Sequence, residues 1–582
     1  MLRAAALGCA LACALACALA CTLAGPARAQ DAGTGGGGAT GGGATGGGGA
    51  AAPATGGPAA NEGAAPGSLR AQIENVLPGV NVAPPGPTTA PAWIINTGIG
   101  VQEEWTDNAL LTSTGHVSSL ITNVTPSLSV AGSTARLTAD LYYAPNVELY
   151  SNAPQENTFG QTLGTDALLT LAPEELYLKV AGYAGLQSLG AGLAPNGTTA
   201  LTKQDTVQTT SFTVYPYMLH RFGGWGTLQA GISENQTNSY LLGGGGGSQD
   251  LTERQEIASF TSGENFGRMT NTWQVSGTQD TGTGGLQGAT RDAATWQAGY
   301  ALTRSIIALG SIGWEDIRYT GPGAPHYDDG TWSFGTQLMP NPDSSITISY
   351  GHQDGATAMA VNASYAPTAT IRLFTTYSAG VTTAAEDIAG DLGNVNFNAQ
   401  GQAVNSVTGA PVALGNNFYG FNGTVYQGRT LTVSASWLRP RDSFQLSYSK
   451  QTQTPVGNPA VGGTVLATAG NLSLTAGVAA SDGSYGTLSW QHDLSPAVSL
   501  TSSVQYGLLS NVTPLILSNG VLSASASQFQ NVRQFSFAST LAWQLTDSLS
   551  SSLQYSFSST GYGGSTGTVA QNLVILGLQK HF

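Results

Sequence analysis

The feature that most constrains the fold is a strict alternation of side chains in residues 534–560, "QFSFASTLAWQLTDSLSSSLQYSFSST". The even positions hold Ser, Thr, Gln or Ala, while the odd positions hold nearly all the large apolar side chains: Phe535, Phe537, Leu541, Trp543, Leu545, Leu549, Leu553, Tyr555 and Phe557. A period of two is typical of a β-strand, whose successive side chains point to opposite faces. The stretch therefore predicts a hairpin with one apolar and one polar face.

The register of this hairpin can be predicted from its pattern. If Leu545 faces Leu549 across residues 546–548, large side chains meet matching or small ones across the pair. The expected pairs are Leu541 with Leu553, Phe537 with Phe557, Trp543 with Ser551, and Ser539 with Tyr555.

The same alternation runs through residues 93–582 in segments of about 10 to 14 residues. Short polar turns such as "PNPD" and "RPRD" join some segments, whereas others are separated by long connections near 380–428, 451–483 and 511–531. Short turns on one side and long loops on the other are typical of an outer-membrane barrel. We predict an all-β fold, a single antiparallel transmembrane β-barrel of about 22 strands, within a range of about 18 to 26.

The predicted size of the barrel decides which face is outside. A barrel of about 22 strands is too wide for side chains to fill, so its interior holds water or loops and takes the polar face. The apolar face then meets lipid, and Trp residues near strand ends suit the interfacial aromatic girdles. Only 9% of residues are charged, against about 25% in a soluble domain. The alternative is a soluble β-sandwich array or solenoid with its apolar faces packed inward.

The N-terminus predicts export. A basic start, an apolar middle and Ala27-Arg28-Ala29 are typical of a signal peptide over residues 1–29, cleaved after Ala29, with Ala27 and Ala29 forming the cleavage motif. All four cysteines lie in this segment; a lipoprotein with its lipid on Cys21 is the alternative.

The next segment is a leader. Residues 30–92 are rich in Gly, Ala and Pro and predict a disordered periplasmic leader with a short helix over 68–77. We expect this leader to be a tether; a plug or a periplasmic contact is the alternative.

The C-terminus predicts assembly into the outer membrane. Val574, Leu576, Leu578 and Phe582 alternate on one face of the last strand and end on an aromatic residue, which resembles the signal read by the barrel assembly machinery. Lys580 departs from that pattern, although Lys can extend its amine toward headgroups at a strand end. An even strand number puts both termini in the periplasm of a Gram-negative cell.

The charge balance and the polar residues argue against several function classes. With 19 basic and 33 acidic residues the chain lacks the basic surface of a nucleic-acid-binding protein. The six histidines are scattered, and the G-x-S-x-G match at residues 563–567 lies between two predicted strands rather than at a strand-to-helix elbow, so we expect no enzyme activity, metal or cofactor. Acidic residues predicted at loop ends form an expected acidic rim that favours cations and whose charges are either solvated or in contact with divalent-bridged lipopolysaccharide: Glu103, Glu104, Asp107, Glu386, Asp387 and Asp391.

Several segments resemble one known family. They are "WIINTGIGVQEEWTDNALLTS" at the barrel start, "SSLITNVTPSLSVAGSTARLTADLYYAPNVELY" after it, the connection beginning "AEDIAGDLGNVNFNAQGQAVNS", and "YGTLSWQHDLSPAVSLTSSVQYG". Over residues 93–582 the chain resembles the PEP-CTERM-system-associated outer-membrane β-barrels, which overlap a β-barrel porin group. The resemblance implies a link to exopolysaccharide and surface-protein systems, with periplasmic export components as partners, and it carries over no catalytic residue.

Two main functional hypotheses follow. The first is a passive porin-like or export conduit through the outer membrane, with 380–428 and 451–483 narrowing the lumen. The second is a non-conducting surface scaffold or docking barrel for envelope machinery. A barrel enzyme is a third and weaker alternative, and the sequence leaves substrate, gating and oligomeric state open.

Overall fold

A computed structural model describes most of the chain from residue 93 onward. The described residues are 93–188, 202–203, 206–243, 249–321, 324–383, 385–387, 389, 395–397, 403–405, 425–456, 481–512, 515–518, 521–524, 529–562 and 568–582. The predicted signal peptide, its cleavage residues Ala27 and Ala29, and the predicted leader with its helix lie outside them. Asp391 and most of 380–428 and 451–483 lie outside them as well.

Twenty-two strands form one antiparallel sheet. They are β1 Trp93–Thr106, β2 Ser119–Ser133, β3 Leu137–Tyr150, β4 Thr158–Ala172, β5 Leu176–Ser188, β6 Thr206–Arg221, β7 Gly226–Leu241, β8 Gln249–Ser262, β9 Met269–Gly282, β10 Thr290–Ala301, β11 Ile306–Arg318, β12 His326–Leu338, β13 Ser345–Gln353, β14 Ala356–Thr368, β15 Ile371–Thr382, β18 Tyr426–Leu438, β19 Asp442–Pro455, β20 Ser481–Ser495, β21 Val498–Val512, β24 Phe529–Thr546, β25 Leu549–Tyr562 and β26 Thr568–His581.

Two separate short hairpins lie in the longer connections. They are formed by β16 Val395–Phe397 with β17 Ala403–Asn405, and by β22 Leu515–Ser518 with β23 Val521–Ala524. Helix is confined, among the described residues, to single turns: the 3-10 segments Pro154–Glu156, Gly223–Trp225, Glu264–Phe266 and Gly284–Leu286, and α-helical residues within 385–389. No helix in this part of the chain is long and apolar enough to cross a bilayer.

The sheet closes on itself through its first and last strands. β1 pairs with β26 from Gly98 opposite His581 to Thr106 opposite Leu573. Closure leaves no strand edge with unpaired backbone groups. The prediction of a single antiparallel barrel of about 22 strands is confirmed.

The predicted hairpin register is confirmed at four of its pairs and wrong at the turn. Leu541 pairs with Leu553, Phe537 with Phe557, Trp543 with Ser551 and Ser539 with Tyr555. At the turn, Thr546 rather than Leu545 faces Leu549, because the register shifts after Gln544. The extra residue forms a bulge in β24 and leaves only Asp547 and Ser548 as the turn.

The two ends of the barrel differ in the length of their connections. The short-turn end carries 134–136, 173–175, 222–225, 263–268, 302–305, 339–344, 369–370, 439–441, 496–497 and 547–548. The long-loop end carries 107–118, 151–157, 189–205, 242–248, 283–289, 319–325, 354–355, 383–425, 456–480, 513–528 and 563–567. Since β1 runs toward the long-loop end and β26 away from it, residues 93 and 582 both lie at the short-turn end.

Contacts between distant strands identify the inner face. Leu251 on β8, Ile317 on β11 and Val381 on β15 pack in one buried cluster, although these strands are not neighbours in the sheet. Only the concave face of a closed barrel brings such strands together, so these residues point inward. Their neighbours on the opposite face point outward.

The outward face is apolar and exposed, as the alternation predicts. Large side chains on it include Trp105, Phe159, Trp273, Val275, Ile312, Trp314, Trp332, Phe334, Trp437, Leu446, Leu488, Tyr506, Leu553 and Leu576. An apolar exterior around a closed hydrogen-bonded sheet suits hydrocarbon, where every backbone donor and acceptor must find a partner within the protein.

A charge on this outward stripe is expected to destabilise the barrel. Leu553 is 44% exposed on the outer face and its neighbour Ser552 points inward. We predict that Leu553→Arg lowers the unfolding free energy in phospholipid vesicles by about 2–4 kcal/mol. Ser552→Arg, the matched inner-face control, should cost much less because its guanidinium reaches the lumen. Equal losses in guanidinium titrations of the two variants would contradict the assigned faces.

Candidate functional site: a charged cluster inside the long-loop end

Arg291 on β10 is the centre of the inner-wall cluster. Its Nη2 donates to the Val381 carbonyl oxygen at 3.0 Å and to the Tyr319 hydroxyl at 3.2 Å. Its guanidinium also lies 3.6 Å from Asp354 Oδ1 and 3.8 Å from Glu386 Oε1. Because Val381 belongs to β15, this one side chain joins two strands that are far apart in the sheet.

The segment after β15 is held against the wall by a capping box. The Thr383 amide donates to Glu386 Oε2 at 2.7 Å, and the Glu386 amide donates to Thr383 Oγ1 at 3.3 Å. This reciprocal pair satisfies two backbone donors at the start of the helical turn 385–387. The described start of the connection 383–425 therefore lies inside the barrel.

Tyr319 and the Asp387 carboxylate secure the same turn. The Tyr319 hydroxyl donates to Glu386 at 3.1 Å. Asp387 accepts from the Tyr426 hydroxyl at 2.5 Å and from Thr382 Oγ1 at 2.9 Å.

The short connection between β13 and β14 also curls inward. The Asp354 and Gly355 amides each donate to the Glu315 carboxylate at 2.8 Å. Both turn residues have positive φ, 51° and 65°, and a Cβ on Gly355 would lie 3.1 Å from Val381 Cγ2. Glycine therefore allows the turn to approach the inner wall of β15 closely.

Apolar packing supports these polar contacts. Leu251, Leu286, Ile317, Tyr319 and Val381 are all buried in one cluster. It includes residues from the connections 283–289 and 319–325, so these connections fold onto the inner wall. Together with the Arg291 contacts, they narrow the lumen at the long-loop end.

The cluster is strongly acidic. One guanidinium, that of Arg291, faces inward-pointing or lumen-side carboxylates at Glu253, Asp280, Glu315, Asp354, Glu386 and Asp387. Low-dielectric walls focus the field of such charges and raise the local concentration of cations.

Burial changes the proton affinity of Asp387 and Tyr319, which lie outside the strands. It raises the pKa of Asp387 to about 6, although the hydrogen bonds from Tyr426 and Thr382 lower that pKa and the nearby Glu386 charge raises it. Burial, together with the Glu386 charge, raises the pKa of Tyr319 well above its usual value. Tyr319 therefore keeps its proton and remains a donor to Glu386.

The predicted rim residues separate into two groups. Glu386 and Asp387 belong to the cluster, while Glu103, Glu104 and Asp107 lie at the seam between β1 and β26. Glu104 points inward and is 9% exposed, whereas Glu103 points outward and accepts from Thr122 Oγ1 at 3.0 Å. Asp107 accepts from the amide and side-chain nitrogens of Asn572, at 2.8 and 2.6 Å, and so fastens the seam.

The predicted assembly residues lie together on the outer face of β26. Val574, Leu576 and Leu578 are exposed there, and Phe582 is 76% exposed at the short-turn end. Lys580 Nζ donates to Ser548 Oγ at 2.5 Å. Their recognition by the assembly machinery stays a prediction.

Sequence reasoning missed Arg291, Tyr319 and Glu315. Each occupies or adjoins an ordinary polar position of a strand, so no local pattern marks it. The histidines do not converge: His326 contacts Asp316 at 3.0 Å and His492 contacts Asp442 at 2.9 Å. Within the described residues, no group of three or more His, Cys, Asp or Glu side chains is arranged to hold a metal ion.

Comparisons with known proteins give remote structural likeness only. No family model and no curated protein matches the sequence. The FrpB iron transporter from Neisseria meningitidis (F5-1 variant, apoprotein) is similar at a TM-score of 0.45 and 12% identity, over 84% of this chain and 81% of that one. The siderophore receptor PirA from Pseudomonas aeruginosa gives 0.36 and 10%, over 85% and 81%.

A third solved structure is similar at a comparably low level. The outer membrane protein opdK from Pseudomonas aeruginosa gives a TM-score of 0.33 and 10% identity, over 84% of this chain and 99% of that one. The closed sheet, its apolar exterior and its unequal ends, rather than these scores, carry the conclusion that the chain has the architecture of an outer-membrane β-barrel.

The raised pKa of Asp387 predicts a pH dependence. Because its folded pKa of about 6 exceeds the ordinary 3.8, the folded state holds the extra proton between these values. The contribution of Asp387 to the unfolding free energy is therefore at its full value below about pH 4. It is lost as the pH rises through 6, and the loss is at most about 3 kcal/mol.

Asp387→Asn should remove that dependence. We expect the unfolding free energy of the wild type, relative to Asp387→Asn, to fall between pH 4 and pH 7.5 in guanidinium titrations. Asp547→Asn, in an exposed turn, is the control. A wild-type barrel that gains stability over this range relative to Asp387→Asn would show that burial does not govern the group.

Proposed function

We propose that the chain is a passive, cation-preferring conduit through the outer membrane, with its long loops at the cell surface and both termini in the periplasm. The observation that carries this proposal is the charged cluster: carboxylates surround a single guanidinium where the lumen narrows. A permeating ion must pass this cluster, so the net charge of the cluster determines whether cations or anions pass more readily.

The rest of the inner wall supports a water-filled passage. A closed barrel of this strand number is too wide for side chains to fill, and its inward positions are dominated by Ser, Thr, Gln and Gly. Such groups hydrogen-bond to water and offer no strong site that would retain an ion.

A second candidate is a non-conducting surface scaffold or docking barrel. The observation that favours it is the same packed cluster, because connections folded onto the inner wall reduce the open cross-section. Under this proposal, envelope or export components bind the loops or the leader. The link to exopolysaccharide or surface-protein systems and the contacts with lipopolysaccharide are proposals under either candidate.

Ion selectivity tests the conduit. Wild-type barrel in planar bilayers under a KCl gradient should show open-channel steps and a reversal potential that favours K⁺. In recordings at about pH 9.5, where both groups are ionised, Glu253→Gln with Asp280→Asn removes two facing negative charges of the inner wall, so the reversal potential should move toward that of a neutral pore.

The matched control is Glu256→Gln with Asp292→Asn, which neutralises two outward carboxylates on β8 and β10, on either side of β9, and should leave the potential unchanged. Equal effects of the two pairs would contradict the selectivity site. Silence of the wild type at all voltages would contradict the conduit and favour the scaffold.

A further inference from the structure

A strip of tyrosines lies on the inner wall near the short-turn end, far from the charged cluster. Tyr177 on β5 pairs directly with Tyr217 on β6, and their ring centroids lie 5.2 Å apart at an angle of 18°. Tyr215 continues the stack at 5.0 Å and 19°. Val214 and Met218, in alternate positions of β6, are exposed on the outer face, so the three rings point into the lumen.

The next strand holds the rings in place. Gly231 on β7 faces Tyr217, and a Cβ there would lie 2.8 Å from Tyr215 Cε2 and 2.7 Å from Tyr217 Cβ. The absence of a side chain lets the rings lie over the β7 backbone. Gln229 Nε2 donates to the Tyr215 hydroxyl at 3.1 Å. A preformed surface of this kind loses little side-chain entropy when a ligand binds.

Charged groups flank the stack on its long-loop side. Lys179 pairs with Tyr215 across the β5–β6 ladder, and its Nζ lies 3.8 Å from Asp166 Oδ2. Asp140 faces Asp166 across β3 and β4. The Lys179 and Asp166 side chains are 35% and 55% exposed, so a donor and two acceptors remain accessible from the lumen beside the aromatic faces.

We propose that this strip binds neutral glycans. A pyranose ring has an apolar C–H face that packs on an aromatic ring and a rim of hydroxyls that both donate and accept hydrogen bonds. The tyrosine stack supplies apolar aromatic surface, while Asp140, Asp166 and Lys179 supply polar contacts of both kinds. Recognition sites generally combine aromatic surface with a few polar groups in this way.

An organic cation is the competing ligand. The Lys179 ammonium, directly opposite Tyr215, disfavours a cation at that ring, whereas the aromatic faces and the carboxylates of Asp140 and Asp166 attract one, so the test below distinguishes a glycan from a cation. The proposal rests on the conduit function for its biological meaning, since a glycan reaches the strip only through the lumen. Binding itself can be measured without conduction.

The test uses the folded full-length barrel in detergent micelles and isothermal titration with maltohexaose, cellohexaose and laminarihexaose. The wild type should bind at least one of these glucans. Tyr177→Leu with Tyr215→Leu and Tyr217→Leu keeps apolar bulk but removes the rings, and should weaken binding about tenfold or more.

Two matched variants control for folding and for non-specific effects. The corresponding triple Phe variant keeps the ring faces and should retain most of the affinity. Tyr350→Leu with Tyr448→Leu and Tyr506→Leu removes three exposed outer-face rings and should leave binding unchanged.

Three results would overturn the proposal: no binding of any of the three glucans by the wild type, equal affinity in the triple Leu variant, or binding of tetramethylammonium but of no glucan. Bilayer recordings test conduction separately from glycan binding, so failure of one proposal can be told apart from failure of the other. A barrel that binds glucan but never conducts contradicts only the conduit, and a conducting barrel that binds no glucan contradicts only the strip.

Discussion

Backbone hydrogen bonding between β1 and β26 is the constraint on which the rest of this structure depends. In hydrocarbon each unpaired amide or carbonyl costs several kcal/mol, so a spanning sheet must close. The pairing continues beyond both ends of the described ladder: the Asp107 amide donates to the Asn572 carbonyl at 3.3 Å, and the Phe582 amide donates to the Thr97 carbonyl at 2.8 Å. Closure then forces one face outward to lipid and the other toward a hollow interior.

The hollow interior allows different chemistry at its two ends. At the long-loop end, connections fold back against Arg291 of β10 and the carboxylates around it, which places these charges where the connections narrow the lumen. At the short-turn end, Tyr177, Tyr215 and Tyr217 present rings to the lumen. Neither feature disturbs the outward face, because alternate residues of each strand serve the two faces independently.

The period of two predicts much of the fold and little of the charged cluster. It gives the strands, the face of each residue and the pairing of Leu541 with Leu553, because these depend on neighbours in the sheet. It predicts the wrong partner for Leu545, because the bulge in β24 depends on the geometry of the turn and not on the alternation of side chains. The contact of Arg291 with Val381 joins β10 to β15, and a strand pattern holds no information about which distant inner residues meet when loops fold inward.

The most direct test of the account is the environment of successive residues along β25. All four cysteines lie in residues 1–29, so single cysteines can be placed at positions 551–556 of a barrel produced without those residues and reconstituted in lipid vesicles. A charged, water-soluble maleimide should label the cysteines at Ser552 and Gln554, while a fluorophore at Leu553 or Tyr555 should be quenched by brominated lipid. The inverse pattern, or equal labelling at every position, would contradict a barrel with its apolar face in lipid and a water-filled lumen.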